Sequence, residues 1–73
     1  MKVFNTRLLA EDLRVEMARR GQWQKEVAAE CGVQASVISR TARNYQAPSA
    51  HSLAAILDWA GFDFFRYVME QEA

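Results

Sequence analysis

Residues 24–43 read QKEVAAECGVQASVISRTAR, and their pattern predicts two short helices joined by a tight turn. The first helix carries three apolar side chains at helical spacing: Val27, Ala28 and Cys31. It ends at Gly32, because glycine adopts the left-handed conformation of a helix end without a steric penalty. Gln34 then stands where the next helix would be capped. The segment is therefore predicted to form a helix-turn-helix.

The side chains of the second helix of this pair fall on two faces, one polar and one mainly apolar. At ~100° per residue, its small polar and arginine side chains fall within one sector of about 140°. That sector holds Ala35, Ser36, Ser39, Arg40 and Arg43. The opposite face is formed by Val37, Ile38, Thr41 and Ala42. Such a helix is predicted to seat its apolar back on a core and to leave its polar front available to another molecule.

A longer helix is predicted before this pair. Asn5 or Thr6 caps it, Gly21 ends it, and its buried stripe consists of Leu9, Leu13 and Met17. Its solvated face is expected to hold Glu11, Asp12, Arg14 and Glu16. Residues 1–5 form a short N-terminal arm, for which three interpretations stay open: a frayed end, a plug of the core, or part of a dimer contact.

Two further helices are predicted after the pair. Ser49 caps one that ends at Gly61, and Asp63 caps a short C-terminal helix over residues 63–71. Residues 1–73 are therefore predicted to form a single all-α domain of five helices, with the helix-turn-helix over residues 23–43.

The C-terminal helix carries more aromatic surface than a small core can hold. Phe65 and Met69 are expected to face the core, whereas Phe64 and Tyr67 are expected to point outward. Together with Val68, these two side chains form the candidate dimer interface. The alternative is that all of these aromatic side chains fold back into the core.

Charge is unevenly distributed along a chain whose net charge is zero. Residues 19–43 carry five basic and two acidic side chains, a net charge of +3, and residues 44–73 carry one basic and four acidic side chains, a net charge of −3. The positive part coincides with the predicted helix-turn-helix, as expected of a nucleic-acid-binding surface. Arg19 and Arg20 close the first helix, where cations suit the helix dipole, and a phosphate contact is the alternative for them.

The sequence contains no catalytic or metal-binding pattern. His51 is the single histidine and is expected to be exposed, and Cys31 is the single cysteine and is expected to be a buried core thiol. One His and one Cys cannot supply a structural zinc site. We therefore predict a protein that is not an enzyme and that binds no metal or cofactor. The lack of an intrachain disulfide, of a signal-peptide pattern and of a membrane-spanning run leads us to expect a cytoplasmic location without membrane contact.

Residues 23–68 resemble the lambda-repressor/Cro-like (XRE) helix-turn-helix family. The common pattern of that family is SQ-x-x-LA-x-x-x-GVS-x-x-x-ISR-x-E-x-G-x-x-x-P, followed by L-x-x-L-x-x-A-x-x-LG. The positions that match it in ungapped register are Gln24, Val27, Ala28, Gly32, Val33, Ile38, Ser39, Arg40, Pro48, Leu53, Ile56 and Gly61. The chain departs from it at several positions. Trp23 replaces the usual Ser or Thr cap, Asn44 replaces a glycine, and Thr41–Ala42 replace an apolar–acidic pair.

The resemblance implies sequence-specific binding of double-stranded DNA, with the helix that begins at Ala35 in the major groove. The residues that it places near base edges are Gln34, Ala35, Ser36, Ser39 and Arg40. Those that it places near phosphates are Gln24, Lys25, Arg43, Asn44 and Tyr45. Arg40 would bind a guanine with two hydrogen bonds, which is worth ~1–3 kcal/mol of discrimination. Three competing interpretations remain: Ser39 as a solvated helix residue, Arg40 as the partner of Glu30 or another carboxylate, and Tyr45 as part of the loop packing.

We therefore expect a transcriptional regulator, a repressor of prophage type from a bacterium or a phage, that binds an inverted-repeat operator as a homodimer. The alternative is a protein-interaction module, such as an antitoxin or an adaptor, built on the same fold. The zero net charge and the acidic C-terminal third keep the alternative open. The presence of Gln24, Arg40 and Arg43 favours DNA binding.

Overall fold

The computed structural model describes residues 1–43 and 47–71. It contains four α-helices: α1 (Thr6–Arg20), α2 (Gln24–Cys31), α3 (Ala35–Ala42) and α4 (Ala50–Ala60). A short strand, β1 (Lys2–Phe4), precedes α1. After α4 the chain forms a 3₁₀ helix (Phe64–Tyr67) and a second strand, β2 (Val68–Glu70). None of the helices in the described ranges is long and apolar enough to cross a membrane.

The helix ends lie where the sequence predicts them. The Asn5 side chain caps α1 by accepting a hydrogen bond from the backbone N–H of Leu8 at 3.0 Å. Ser49 caps α4 in the same way, since its Oγ accepts from the N–H of Ser52 at 3.3 Å. Glycines follow the last turns of α1, α2 and α4 in the left-handed conformation. Local sequence signals are thus sufficient to place the four α-helices.

The two strands pair with each other and bring both ends of the described chain together. They run antiparallel, with Lys2 opposite Glu70, Val3 opposite Met69, and Phe4 opposite Val68. The hydrogen-bond ladder continues beyond the strands on both sides. The N–H of Asn5 donates to the Tyr67 carbonyl at 2.6 Å, and the N–H of Gln71 donates to the Met1 carbonyl at 2.8 Å.

The prediction of an all-α, five-helix fold is therefore wrong at both ends of the chain. Residues 63–71 do not form a fifth helix: they make one 3₁₀ turn and then extend into β2. Asp63 does start the turn, because its carboxylate accepts from the N–H of Phe65 at 3.1 Å. A short apolar run such as FFRYVME fits a helix and a strand equally well, and its strand partner lies at the opposite end of the sequence. Residues 1–5 are accordingly not a frayed end, since residues 2–4 form β1. Phe4 packs on the smaller of the two apolar clusters described next, as the core-plug interpretation expects.

Two apolar clusters hold these elements together. The larger cluster joins all four helices and consists of Leu13, Val27, Ala28, Ile38, Ala42 and Ile56. The smaller cluster consists of Leu9, Leu57 and Tyr67, with Phe4, Leu8, Leu53 and Phe62 packed against it. The α2–α3 pair is therefore seated on one cluster, and the sheet is attached to α1 and α4 through the other.

Candidate nucleic-acid interface

The α2–α3 connection is a three-residue turn, Gly32 to Gln34. Gly32 has a φ of 75°, in the left-handed region that favours glycine. The N–H groups of Gly32 and Val33 both donate to the Ala28 carbonyl, at 2.9 and 3.0 Å. Gln34 occupies the N-cap position of α3, but its side chain accepts no hydrogen bond from that helix. The side chain of Gln34 is exposed and is not needed to start α3.

The two faces of α3 are arranged as the sequence predicts. The back is formed by buried Ile38, Thr41 and Ala42 and by half-buried Val37, which packs on the larger cluster. Thr41 adds no unpaired polar group to this face, because its Oγ1 donates to the Val37 carbonyl at 2.8 Å. The front is formed by exposed Ala35, Ser36 and Arg40 and by half-buried Ser39. Apart from one arginine, the front carries only small side chains, so another molecule can approach the helix backbone closely.

Arg40 lies exposed on this front face. Within residues 1–43 and 47–71, no carboxylate lies close enough to pair with its guanidinium. The suggested pair with Glu30 does not form, because the Glu30 carboxylate accepts from the indole N–H of Trp59 at 2.8 Å and from the amide of Gln22. These two hydrogen bonds hold the pKa of Glu30 below its usual value. The carboxylate of Glu30 is thus already occupied within the fold.

Arg19 and Arg20 have a partner within α1. Both guanidinium groups bind the carboxylate of Glu16, Arg20 with its Nε at 2.6 Å. Arg20 also donates to the Trp59 carbonyl at 3.2 Å, and its guanidinium lies 4.2 Å from the centre of the Trp59 ring. Arg20 thus connects the end of α1 to α4, whereas Arg19 binds within α1. Glu16, expected on the solvated face, is only 9% exposed.

The candidate phosphate contacts lie at the ends of α2 and α3. Gln24 and Lys25 begin α2, and Arg43 follows the last residue of α3. Lys25 and Arg43 are exposed, and Gln24 is half-buried. The structure therefore brings an amide and a cation from two helices to the sides of one groove, described next. Asn44 and Tyr45 lie outside the described residues.

A groove of about 310 Å³ lies between the start of α2 and the end of α3. Its lining consists of Arg14, Met17, Gln22, Trp23, Gln24, Ala42 and Arg43. Arg14 reaches the groove from α1 and donates to the Ala42 carbonyl, one of the carbonyls that the end of α3 leaves without a helical partner. The groove is therefore bordered by two arginines, two glutamine amides and an indole.

Arg14 and Trp23 are two residues of this groove that sequence reasoning does not assign to it. Arg14 falls on the predicted solvated face of α1, and nothing in the local pattern shows that it extends to α3. Trp23 carries a visible signal, because an indole stands where a helix start favours Ser, Thr, Asp or Asn. It is 79% exposed. An aromatic side chain at a cap position is the feature from which this residue could have been identified.

The expected dimer interface is only partly at the surface. Tyr67, predicted to point outward, is fully buried. Its hydroxyl donates to Asp12 Oδ2 at 2.7 Å, and Arg66 binds the same carboxylate with its Nε at 2.8 Å. The reason is the 3₁₀ turn, which directs Tyr67 against α1 instead of away from it.

Phe65 and Met69 are exposed to 74% and 41%, so the expectation that they face the core is wrong. Phe64 is 41% exposed, as predicted, and its ring meets that of Phe65 edge to face at 5.5 Å. Val68 is half-buried in β2. The outward aromatic pair of this segment is therefore Phe64 and Phe65.

The structure also places the single histidine and the single cysteine of the sequence. His51 is exposed in the first turn of α4, as predicted. Cys31 is half-buried against the larger cluster, and its burial, with a smaller effect of Glu30, raises its pKa. No group of three or more His, Cys, Asp or Glu side chains in residues 1–43 and 47–71 is placed to hold a metal ion.

Comparison of the chain with protein-family models, with curated proteins and with solved structures finds no match. The resemblance to the lambda-repressor/Cro-like family therefore stays a hypothesis that rests on the residues quoted for it.

Proposed function

We propose that this protein binds double-stranded DNA sequence-specifically and regulates transcription, acting as a repressor by occupying an operator. The observation that carries the proposal is the exposed front of α3. It combines small side chains with one arginine that has no carboxylate partner among the described residues. The buried back of the same helix fixes the direction in which this front points.

The dimensions and chemistry of α3 suit the major groove. That groove is about 12 Å wide and admits one α-helix with short side chains. Ala35 and Ser36, in the first turn, would lie nearest the bases, where an alanine methyl contacts thymine. Arg40 would bind the O6 and N7 of a guanine. Ser39, half-buried between Arg40 and the core face, would serve as a shorter hydrogen-bonding contact.

The flanking residues would hold α3 in register through the sugar–phosphate backbone. Gln24 and Lys25 would bind phosphate from the start of α2, where the helix dipole also favours an anion. Arg43 would bind it from the end of α3. α3 itself carries no acidic residue, so no carboxylate on the recognition helix opposes the approach of DNA.

A homodimer would supply the second half of the operator. One domain of this size covers few base pairs, and dimers place two recognition helices about 34 Å apart on an inverted repeat. We assign the dimer contact to Phe64 and Phe65 in place of Tyr67. The exposure of Phe65 beside a second phenylalanine supports this assignment, because an exposed apolar patch commonly marks an interface.

The same aromatic pair favours a second candidate function, a protein-interaction module such as an antitoxin or adaptor. In that case the phenylalanines would bind a different protein, and the α3 front would have no DNA partner. The two candidates overlap where the interaction module also binds DNA. They differ most sharply where the module has lost DNA binding, since only the regulator then binds DNA as a purified protein.

The proposal is tested by titrating labelled duplex DNA of mixed sequence with the purified protein at about 50 and about 200 mM salt. Binding should weaken steeply as salt rises, because each phosphate contact releases counterions. Lys25→Ala should reduce the slope of log affinity against log salt by about 1. Arg7→Ala is the matched control: it removes an exposed charge from the first turn of α1, beside the sheet, and should leave the slope unchanged. No binding at the lower salt would rule out the regulator and leave the interaction module.

A further inference from the structure

Trp23 is the most exposed aromatic side chain in the described chain, at 79%. A large indole is rarely left in water, since burying an apolar side chain of this size stabilises a protein by a few kcal/mol. Trp23 is also fixed in place, because it lies at the N-cap of α2 with extended backbone angles. Its position is therefore defined by the fold although its ring is not buried by it.

Trp23 contributes little to the helix that it begins. An indole has no acceptor atom, and α2 has no side-chain hydrogen bond at its N-cap. The hydrogen bond present at this N-cap is donated by the backbone N–H of Trp23 to Glu26 Oε1 at 3.0 Å. A serine at this position would accept from the first turn and stabilise α2. The indole thus occupies a site that a smaller residue would fill better for folding.

The other tryptophan shows what a structural indole looks like in this protein. Trp59 is half-buried, its N–H donates to Glu30 at 2.8 Å, and Arg20 lies over its ring. Trp23 has none of these contacts with residues 1–43 and 47–71, and its ring N–H has no acceptor there.

The surroundings of Trp23 combine apolar surface with cationic and amide side chains. It borders the groove that Gln24, Arg14 and Arg43 also line, and Lys25 follows on the first turn of α2. Glu26 is the acidic residue of that turn, and its carboxylate is turned to the backbone N–H of Trp23. The exposed indole therefore stands at the edge of a largely apolar groove whose polar rim consists of arginine and glutamine side chains. Such side chains are donors that bind a phosphate.

We propose that Trp23 is a DNA-binding residue that packs its ring on a deoxyribose and donates its N–H to a phosphate next to the start of α2. The proposal rests on the DNA-binding function inferred above and extends it by one residue. Tryptophan suits this role because it combines a large apolar surface with one hydrogen-bond donor. The contact is made to the backbone and is therefore independent of base sequence.

The test compares Trp23→Ser with the wild type in binding to mixed-sequence duplex DNA at low salt. The affinity should fall about tenfold, as expected for losing a hydrogen bond to a charged group. Trp23→Phe keeps an aromatic ring but loses the N–H donor, so its affinity for DNA should lie between those of the wild type and Trp23→Ser. The melting temperature of Trp23→Ser should rise by a few degrees, because serine restores a cap. Weaker binding by a more stable protein excludes unfolding as the cause.

A second readout follows the indole itself. Acrylamide should quench the emission of the wild type strongly, and added duplex DNA should protect it. The protected fraction should be absent in Trp23→Ser, whose emission comes from Trp59. Val15→Ser, which removes an exposed apolar side chain from α1, is the matched control and should bind DNA as the wild type does.

The outcomes separate the inference from the function on which it rests. If Trp23→Ser binds DNA as tightly as the wild type, and DNA does not protect the wild-type emission, the role of Trp23 is disproved and DNA binding stands. If neither protein binds duplex DNA at low salt, the proposed function fails, and the role of Trp23 fails with it.

Discussion

Glu16 shows that contacts with neighbouring side chains can bury a residue that helical spacing places on the exposed face. Helical periodicity places it with the solvated residues of α1, yet Arg19 and Arg20 both bind its carboxylate and cover it. The hydrogen bond from Arg19, and then the one from Arg20, lower the pKa of Glu16. A hydrogen bond from Arg66 lowers the pKa of Asp12 in the same way. The partners could not be read from the sequence, because a (i, i+4) spacing permits an ion pair without requiring one.

Acid should therefore destabilise the protein as these carboxylates become protonated. A carboxyl group with a lowered pKa in the folded state contributes stability above its unfolded pKa, near 4.5 for glutamate, and loses it as the pH falls through the folded value. We expect the melting temperature to change little at neutral pH and to fall steadily below about pH 4.5.

Glu16→Gln should lower the melting temperature at pH 7 and make its decline in acid shallower. Glu11→Gln, at an exposed position of the same helix, is the matched control and should follow the wild-type curve. Thermal unfolding followed by circular dichroism across the pH range measures both effects. Identical curves for Glu16→Gln and the wild type would show that the pair contributes no stability.

Deprotonation of Tyr67 should destabilise the protein as the pH rises into the alkaline range. Burial, and then its hydrogen bond to Asp12, raise the pKa of Tyr67 well above the usual value of 10.0. A raised pKa contributes stability that is complete below the unfolded pKa and is lost as the pH rises through the folded one. Stability should therefore fall above about pH 10.

Tyr67→Phe should lower the free energy of unfolding by about 1–2 kcal/mol at pH 7, because Asp12 loses one donor. It should also remove most of the decline above pH 10. Urea unfolding of both proteins at neutral and alkaline pH measures this difference. An equal decline in Tyr67→Phe would assign the alkaline instability to other groups.

At the scale of elements, the helices could be predicted and the sheet could not. The α2–α3 pair follows from apolar spacing, a glycine turn and a two-faced second helix, all of which are contained within twenty residues of sequence. β2 pairs with β1 from the other end of the chain, and no local sequence pattern predicts which strand its partner will be. The exposure of Phe65 and the burial of Tyr67 follow from the 3₁₀ turn that precedes β2, and the helical pattern of residues 63–71 does not predict that turn.

Phe4 should be a main link between the sheet and the helices. Its ring lies 5.5 Å from that of Phe64 and 5.7 Å from that of Tyr67. Phe4→Ala should lower the free energy of unfolding by about 1–2 kcal/mol, less than the ~3–5 kcal/mol typical of a fully buried phenylalanine. Val15→Ala, at a 66% exposed position, should leave it unchanged within about 0.5 kcal/mol. Denaturant titration tests this, and a wild-type midpoint for Phe4→Ala would contradict the packing role.

At the scale of the whole molecule, the α2–α3 pair and the segment around the sheet are proposed to bind different partners. The α2–α3 pair and its flanks carry the exposed cations Lys25, Arg40 and Arg43, whereas the 3₁₀ turn before β2 carries the exposed Phe64–Phe65 pair. A protein that binds DNA through one of these surfaces and a second copy through the other matches the two-fold symmetry of an inverted repeat.

Phe65→Ser should accordingly weaken self-association without unfolding the domain, because the ring is exposed in the monomer. Sedimentation velocity should show dimers of the wild type and monomers of the variant at the same concentration. Val15→Ser again serves as the control and should remain dimeric. A monomeric wild type at every concentration would exclude the proposed homodimer.

The central claim is that the front of α3 reads base sequence, and selection from randomised duplex DNA tests it most directly. The wild type, Arg40→Ala and Arg7→Ala would be selected in parallel at the same salt concentration. The wild type and Arg7→Ala should enrich the same inverted repeat. Arg40→Ala should lose the preference at one base pair of each half-site, at a cost of about 1–3 kcal/mol. Enrichment of no sequence, or of an unchanged sequence by Arg40→Ala, would contradict the claim.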